Sequence, residues 1–249
     1  VLGTAPPEEN VSAIETKGFE LTLGWTDQIA DFNYNIRANL SNYKGTVTKF
    51  PNDELQINTW YAGQEMGSIF GYQTVGYFKD DADVANSPDQ TKIYSQWEAG
   101  DIKYADLNGD NKIDFGTNTL NDKGDLSIIG NSTPQYQYGF YADMGWKNFD
   151  ASFFIQGVGK RDIAFGSGAN YFWGMVGSEW QSSPFTVHTD RWTPENTDGY
   201  FPKAYMSSEN AKNLQTQTKY LQNGAYMRLK NVQIGYSLPA VWMQRLRLQ

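Results

Sequence analysis

A short stretch, ADLNGDNKIDFG at positions 105–116, carries oxygen-bearing side chains at alternate positions. Carboxylates and amides at this spacing are how a chain wraps ligands round a hard cation such as calcium. If a cation binds, the sequence predicts one ligand set: Asp106, Asn108, Asp110, the carbonyl oxygen of Lys112, and Asp114.

The stretch departs from the EF-hand pattern in two places. Asn111 occupies the sharp turn because Gly109 comes before Asp110, and Thr117 stands where a bidentate Glu is usual. Asn tolerates the left-handed backbone, whereas the loss of a bidentate ligand lowers affinity. An Asx-rich turn, ordered by its own hydrogen bonds without a metal, is the alternative and stays open. In either case the stretch would order a loop, so a calcium ion would be structural.

Residues for catalysis are scarce in this chain. His188 is the single histidine, there is no cysteine, and no serine lies in a GxSxG motif. A nucleophilic triad, a zinc-thiolate site and a disulfide framework are therefore not expected. Because Asp and Glu are plentiful, counting leaves a glycosidase-like carboxylate pair open, but most of these acids are expected to be simply solvated. The sequence predicts no catalytic and no cofactor-binding residue, and the chain is predicted not to be an enzyme.

Composition limits the partners and the kind of membrane segment. The chain has 249 residues and a formal net charge of -8, which argues against nucleic acid as a partner. No apolar run approaches the roughly 18 residues of a spanning helix. Strands that cross a membrane are not excluded, because their signal is alternation and not a long apolar run. The beginning VLGTAPPEEN and the end RLRLQ both suggest a piece of a longer protein, the latter starting a new alternating pattern.

Alternation with a period of two dominates the rest of the sequence. In DFNYNIRANLS, Phe32, Tyr34, Ile36 and Leu40 alternate with polar residues. Similar patterns predict a strand in GFELTLGW, a hairpin that turns at Lys147 and Asn148, and a strand over 225–238. In that last strand the parity slips near Lys230 and Asn231, which predicts a β-bulge.

The links between these strands differ greatly in length. Three are short, at 26–31, 147–148 and 239–243, and two are long, at Lys44–Pro134 and Gly159–Asn223. Short turns at one end and long loops at the other are typical of outer-membrane barrels. Aromatic residues at both strand ends predict two interfacial belts. A soluble β-sandwich also alternates polar and apolar residues and is the competing interpretation.

Seven segments in order resemble the C-terminal third of SusC/RagA-type TonB-linked outer-membrane transporters. They are KGFELTLGW, GSIFGYQTVGYF, GDIKYADLNGDNKID, SIIGNSTPQYQYGF, NFDASFFIQGVGKRDI, DRWTPEN and AYMRLKNVQIGYSLP. The resemblance implies that residues 1–249 form part of a plugged, 22-stranded all-β transmembrane barrel. They would supply about six consecutive antiparallel strands, without the plug, the early strands or the final strands, and the two long links would be extracellular loops.

The same resemblance implies the function. It implies import of glycans or peptides through the outer membrane of a Gram-negative bacterium, driven by TonB, with a SusD-like lipoprotein as partner and the strands in contact with outer-membrane lipid. The alternative is a soluble extracellular carbohydrate-binding β-sandwich stabilised by calcium. The second long link is rich in aromatic residues, which could stack on sugars. A core within the loop, or a contact with a partner, is favoured over sugar stacking for these residues: Tyr171, Phe172, Trp173, Trp180, Trp192, Tyr200 and Phe201.

The stretch Asp80–Gln90 has no aromatic anchor and is expected to be the most mobile part of the chain.

Overall fold

The computed structural model describes residues 10–177, 185–205 and 207–246. Its strands are Ala13–Ile29 (β1), Phe32–Lys49 (β2), Ser68–Gly71 (β3), Thr74–Tyr77 (β4), Ile102–Tyr104 (β5), Ser127–Asn131 (β6), Gln135–Trp146 (β7), Phe149–Lys160 (β8), Asp162–Ile163 (β9), Gln222–Asn223 (β10) and Tyr226–Tyr236 (β11). Its helices are Asp81–Ala85 (α1), Asn170–Trp173 (α2) and Ala240–Leu246 (α3), with 3-10 turns at Gly174–Val176, Thr186–Thr189 and Ser208–Leu214. None of the described helices combines the length and the apolar character that crossing a membrane requires.

The chain divides into two compact units. The sheet unit contains residues 16–45, 133–161 and the chain from 223 onward, and the loop unit contains mainly residues 46–132 and 162–222. The five long strands form one sheet in the order β1-β2-β7-β8-β11. The pairings of β2 with β7, of β7 with β8 and of β8 with β11 are antiparallel. The predicted strands are thus present, and they are neighbours in chain order, as in a meander.

Tight turns join the strands at one end of this sheet. Ala30 and Lys147 open the two turns with φ of 54° each, in the left-handed region that a two-residue hairpin turn requires. At the opposite end, the register pairs Ser41 with Gln137, and Gln135 with Lys160. Both long links therefore leave and re-enter the sheet at the same end, as the link lengths predict.

The β-bulge in β11 lies where the parity slip predicts it. The register runs from Leu229 opposite Ile155 to Asn231 opposite Phe154, so Lys230 is the extra residue. Without this extra residue, Leu229 and Val232 would point to opposite faces, because they are three positions apart. The bulge puts both on the same face, with Leu229 opposite Ile155 and Val232 opposite Phe153.

The loop unit has a core of its own, built from both long links. The first link contributes the buried side chains of Tyr72, Ile102, Tyr104 and Ile113. The second link contributes those of Trp173, Val176, Phe201, Leu214 and Tyr220. Short strand pairs frame the core, with β3 against β6 and β4 against β5. Gly100, with a φ of +88°, lets the Trp192 ring lie so close to the backbone that a Cβ would overlap it.

Two local predictions are corrected by the structure. Gly67, Gly71 and Gly76 punctuate aromatics in a pattern that predicts a hairpin, but this segment is not one, because β3 and β4 each pair with a later strand. The segment after β11 is the helix α3 and not a short link to a new strand within the described residues. Within the stretch Asp80–Gln90, Asp80 caps α1 and the Gln90 side chain bonds to the backbone of β5, and the mobility of this stretch stays a prediction.

Candidate functional site

The first functional surface is the apolar face of the sheet. Phe32, Trp146, Phe149 and Tyr236 lie directly opposite one another across β2, β7, β8 and β11. They form one row of aromatics beside the tight turns. Further from the turns the same face continues with Tyr34, Ile36, Ala38, Leu40, Phe140, Ala142, Met144, Ala151, Phe153 and Ile155. The prediction that these alternate residues share a face is confirmed.

The other face of the sheet is polar and hydrogen-bonded across strands. Asn35 accepts a hydrogen bond from the Thr26 hydroxyl at 3.1 Å and donates one to Asp143 at 2.9 Å. Gly145 lies opposite Asn33 in the register, and the Asn33 side chain covers it so closely that a Cβ would overlap the amide. Cross-strand polar pairs of this kind each stabilise a sheet by about 0.2 to 1 kcal/mol.

The predicted calcium loop is a hydrogen-bonded Asx turn in this structure. The Asp106 carboxylate accepts from the backbone N–H groups of Gly109 and Asn111, at 2.7 and 2.8 Å. Asn108 and Asp110 each accept from the N–H two residues on, at 3.0 and 2.9 Å. Asn111 has a φ of 63°, as the predicted sharp turn requires. The alternation therefore orders the loop, because three side chains accept from four of its backbone N–H groups.

Within the described residues, no group of three or more His, Cys, Asp or Glu side chains is arranged to hold a metal ion. The predicted set at Asp106, Asn108, Asp110, Lys112 and Asp114 thus stays a prediction, and the loop's carboxylates are used by its own backbone. Calcium would have to compete with these hydrogen bonds or share their lone pairs.

Sequence reasoning missed the residue that fixes this loop, Asp125. Its fully buried carboxylate accepts from the N–H of Leu107 at 2.7 Å and from the N–H of Asp114 at 2.9 Å, so it ties both ends of the turn together. Burial raises the pKa of Asp125, and these two backbone hydrogen bonds act in the opposite direction. The signal available in the sequence was an additional Asp directly before the apolar segment of β6.

A buried ion pair joins the two long links. Asp101 and Lys212 are both inaccessible to solvent, and the Lys212 Nζ lies 2.7 Å from Asp101 Oδ2. Asp101 also accepts from the Tyr205 hydroxyl at 2.8 Å, from the Asn213 side-chain amide at 2.8 Å and from the Glu98 N–H at 2.9 Å. Four donors thus satisfy this carboxylate, which is the condition for tolerating a buried charge.

The lysine of this pair is satisfied in the same way. Its Nζ donates to the carbonyl oxygen of Gln96 at 3.0 Å and lies 4.3 Å from the centre of the Tyr205 ring. The rings of Tyr94 and Trp97 are 5.6 Å away. An aromatic cage of this type stabilises a desolvated cation. Burial and the neighbouring carboxylates raise the pKa of the Tyr205 hydroxyl, which keeps it a donor.

Most of the described aromatic residues of the second link belong to the loop's own core, which is one of the two roles that the sequence favours over sugar stacking. Trp173 and Phe201 are buried, Trp192 nearly so, and Phe172 stacks on Phe165 at 4.4 Å. Tyr171 is the exception, with 89% of its surface exposed, and Trp180 lies outside the described residues. The buried Trp173, Trp192 and Phe201 are therefore unavailable for stacking on a sugar, whereas Phe172 and Tyr200 are partly exposed.

His188, the single histidine, is a buried structural residue. Its Nδ1 accepts from the N–H of Phe185 at 3.0 Å, and its Nε2 donates to the carbonyl oxygen of Phe172 at 3.0 Å. Both ring nitrogens are thus occupied by backbone groups. The Gly174 backbone lies against the imidazole face, where a Cβ would overlap the ring.

Comparisons with known proteins agree with this geometry. No family model matches the chain. TonB-dependent receptor P3 of Formosa agariphila is 28% identical over 264 residues, which cover 99% of this chain and 24% of that protein. TonB-dependent receptor P26 of the same organism is 26% identical over 243 residues, which cover 93% of this chain and 23% of that protein. The chain thus spans about a quarter of the length of these relatives.

Two solved structures show the same fold. The RagAB peptide importer in the open-open state superposes with a TM-score of 0.63 at 19% identity, over 94% of this chain and 23% of that one. The RagAB peptide transporter gives a TM-score of 0.62 at 21% identity, over 94% and 24%. The five-stranded sheet is therefore a section of a large outer-membrane β-barrel. The sequence relatives and the shared fold together support the resemblance of this chain to a fragment of a SusC/RagA-type TonB-dependent receptor.

Proposed function

We propose that the receptor to which this chain belongs imports oligosaccharides or peptides across the outer membrane of a Gram-negative bacterium. The TonB system would supply the energy, and a SusD-like surface lipoprotein would be the partner. The observation that carries the proposal is the similarity to TonB-dependent receptors over almost the whole chain, on a sheet with one apolar and one polar face. The proposed import is an activity of the whole receptor, because this chain matches only about a quarter of its relatives' length.

In this proposal the apolar face of the sheet contacts outer-membrane lipid. From the aromatic row at Phe32 to the row at Leu40, opposite Tyr138, eight residue steps span about 26 Å at about 3.3 Å per step. At the roughly 35 to 45° strand tilt of such barrels, this length covers about 20 Å of the roughly 25 Å apolar band. The polar face would meet the barrel interior, and the loop unit would lie outside the cell with the long links.

We do not propose catalysis for this chain. The relatives are named receptors and the solved structures importers, and His188 is held by backbone groups on both ring nitrogens. The soluble calcium-stabilised sandwich is not favoured by any of these relatives. A structural calcium ion on the Asp106–Asp114 loop remains compatible with the importer, and we propose it as a stabiliser of that loop only.

Uptake by cells tests the proposal. In the native bacterium, we would compare uptake of fluorescently labelled oligosaccharide and peptide pools between wild type, a receptor deletion, and cells treated with a protonophore. Import predicts uptake of components of one pool that is lost in the deletion and on protonophore treatment, and restored by complementation. Pull-down of the tagged receptor from its own membranes should recover a surface lipoprotein. Uptake that is unchanged in the deletion for both pools would contradict the import proposal.

A further inference from the structure

One cleft of the loop unit has the chemistry of a binding site. It encloses about 680 Å3 between β4 and the segment after it on one side and residues of the second long link on the other. Among its lining residues are Val75, Lys79, Lys103, Trp192, Asp198 and Lys219. Both walls belong to the same unit, so the core described above holds them in place.

The lining is cationic on a protein that is acidic as a whole. Lys79, Lys103 and Lys219 face two acids, Asp83 and Asp198, whereas the chain has a net charge of -8. Lys103 is neutralised by Asp83, with Nζ 2.8 Å from the carboxylate. In the described part of the chain, Lys79 and Lys219 make no ion pair and no side-chain hydrogen bond. These two ammonium groups are thus not in direct contact with a carboxylate.

Lys219 is held in position by aromatic rings. Its Nζ lies 4.7 Å from the centre of the Tyr77 ring and 5.8 Å from those of Tyr200 and Tyr220. The Tyr77 hydroxyl is fixed in turn, within 2.8 Å of the Tyr200 carbonyl oxygen and 3.2 Å of the Tyr220 hydroxyl. The rings orient the ammonium group by cation–π attraction without neutralising it.

Partial burial makes this unpaired charge costly. Burial lowers the pKa of Lys219, while the nearby carboxylates of Asp190 and Asp198 raise it and favour the charged form. A desolvated ammonium group without an acceptor is destabilising, and an incoming carboxylate would supply that acceptor. Lys212 shows the contrast, since it has both an aromatic cage and a buried carboxylate, Asp101.

We propose that this cleft binds a carboxylate group of the imported ligand, with Lys219 as its ion-pairing residue and Lys79 as a second cation. The statement that the ligand is imported rests on the proposed function, whereas binding itself does not. Acidic oligosaccharides and acidic peptides both carry carboxylates, so the site selects for charge in either class. The exposed Val75 at the cleft wall contributes an apolar contact beside the charged group.

Calorimetric titration of the whole receptor in detergent tests the proposal with paired probes. The saccharide pair is hexagalacturonate and its methyl ester, and the peptide pair is a glutamate-rich decapeptide and its glutamine counterpart. We expect wild type to bind at least one carboxylate probe and to bind its neutral partner more weakly. Lys219→Met should weaken binding of that probe by about tenfold or more, the effect of losing a hydrogen bond to a charged group. The two pairs show which class is the ligand.

Three variants control the experiment. Lys219→Arg keeps the charge and should retain most of the affinity. Val75→Asp places a negative charge at an exposed position of the cleft and should weaken binding of the carboxylate probe as well. Lys123→Met removes an exposed lysine outside the cleft and should change nothing.

Either of two results would overturn the site: neither carboxylate probe binds to wild type, or Lys219→Met and Val75→Asp bind the probe as wild type does. Hydrogen exchange of the loop unit shows whether Lys219→Met has merely unfolded. If it has, the affinity of Val75→Asp for the carboxylate probe decides whether the cleft is the binding site. Failure here leaves import itself intact, because TonB-dependent uptake by cells is measured separately. Conversely, carboxylate binding by a receptor that imports neither labelled pool would contradict import alone.

Discussion

Replacing Lys212 by methionine should destabilise the loop unit strongly. The substitution keeps an unbranched side chain of similar length in the aromatic cage but removes the charge that faces Asp101 at 2.7 Å. Asp101 keeps three donors, from Tyr205, Asn213 and Glu98, yet it loses its cationic partner and has no access to water. The Gln96 carbonyl oxygen loses its donor at the same time.

The magnitude follows from the environment of the pair. Removing one partner of a buried ion pair costs about 3 to 5 kcal/mol, because the other charge stays buried and uncompensated. Lys203→Met is the matched control, since Lys203 pairs with Glu98 at 2.9 Å but both side chains are substantially exposed. An exposed pair of this kind contributes about 0 to 1 kcal/mol. Adding Asp101→Asn to Lys212→Met should recover part of the loss, because no charge is then buried.

Hydrogen exchange of the intact receptor, followed by mass spectrometry, measures this loss locally. Where exchange is limited by opening, about 3 to 5 kcal/mol corresponds to exchange faster by about two to three and a half orders of magnitude. The acceleration should appear in peptides from the loop unit that contain Asp101 or Asn213, while peptides from β7 and β8 keep their protection. Equal exchange in Lys212→Met and Lys203→Met would refute the view that the buried pair holds the two long links together.

Further predictions concern the sheet and the Asx turn. Ile36→Arg, midway along the apolar face, should cost about 2 to 4 kcal/mol if that face meets lipid, whereas Asn35→Arg on the polar face should be tolerated; heat-modifiable migration of the barrel in gels compares the two. Removing calcium with a chelator should speed proteolysis of the Asp106–Asp114 loop in wild type and not in Asp110→Ala. If the chelator does not change proteolysis of wild type, the loop binds no calcium and is ordered by its own hydrogen bonds. Because the folded-state pKa of Asp125 is raised, its contribution to stability is complete below about pH 4, the unfolded value, and is lost as pH rises through the folded pKa. In chelator, loop exchange corrected for intrinsic rates should therefore increase over that window in wild type and stay flat in Asp125→Asn.

The sheet could be predicted from sequence because its information is local. Alternation assigns faces residue by residue, and the parity slip at Lys230 located the bulge that the register shows. Strand ends were less accurate, since β2 continues to Lys49, beyond the clear alternation that ends near Ser41. After Ser41, β2 contains mainly Tyr, Lys, Gly and Thr residues, which do not alternate consistently between polar and apolar.

The loop unit could not be predicted because its contacts are long-range and polar. Asp101 and Lys212 come from different links, and no spacing rule connects them. β3 and β4 looked like a hairpin because they are adjacent, but each completes its hydrogen bonds with a later strand. Asp125 likewise acts on backbone groups of a turn that ends 11 residues earlier. Only the burial of the second link's aromatics followed from composition.

The independent core of the loop unit bears on how a ligand would be bound. Loops that order only on binding lose conformational entropy at that step, which lowers the affinity obtained from the same contacts. Here Tyr77, which carries the Lys219 ammonium group on its ring, is hydrogen-bonded to the second link, and the Asp101–Lys212 pair joins the same two links. The cleft is therefore formed before a ligand arrives. Loss of the buried pair should then weaken carboxylate binding through disorder of the cleft walls, in addition to any effect on stability, although neither Asp101 nor Lys212 lines the cleft.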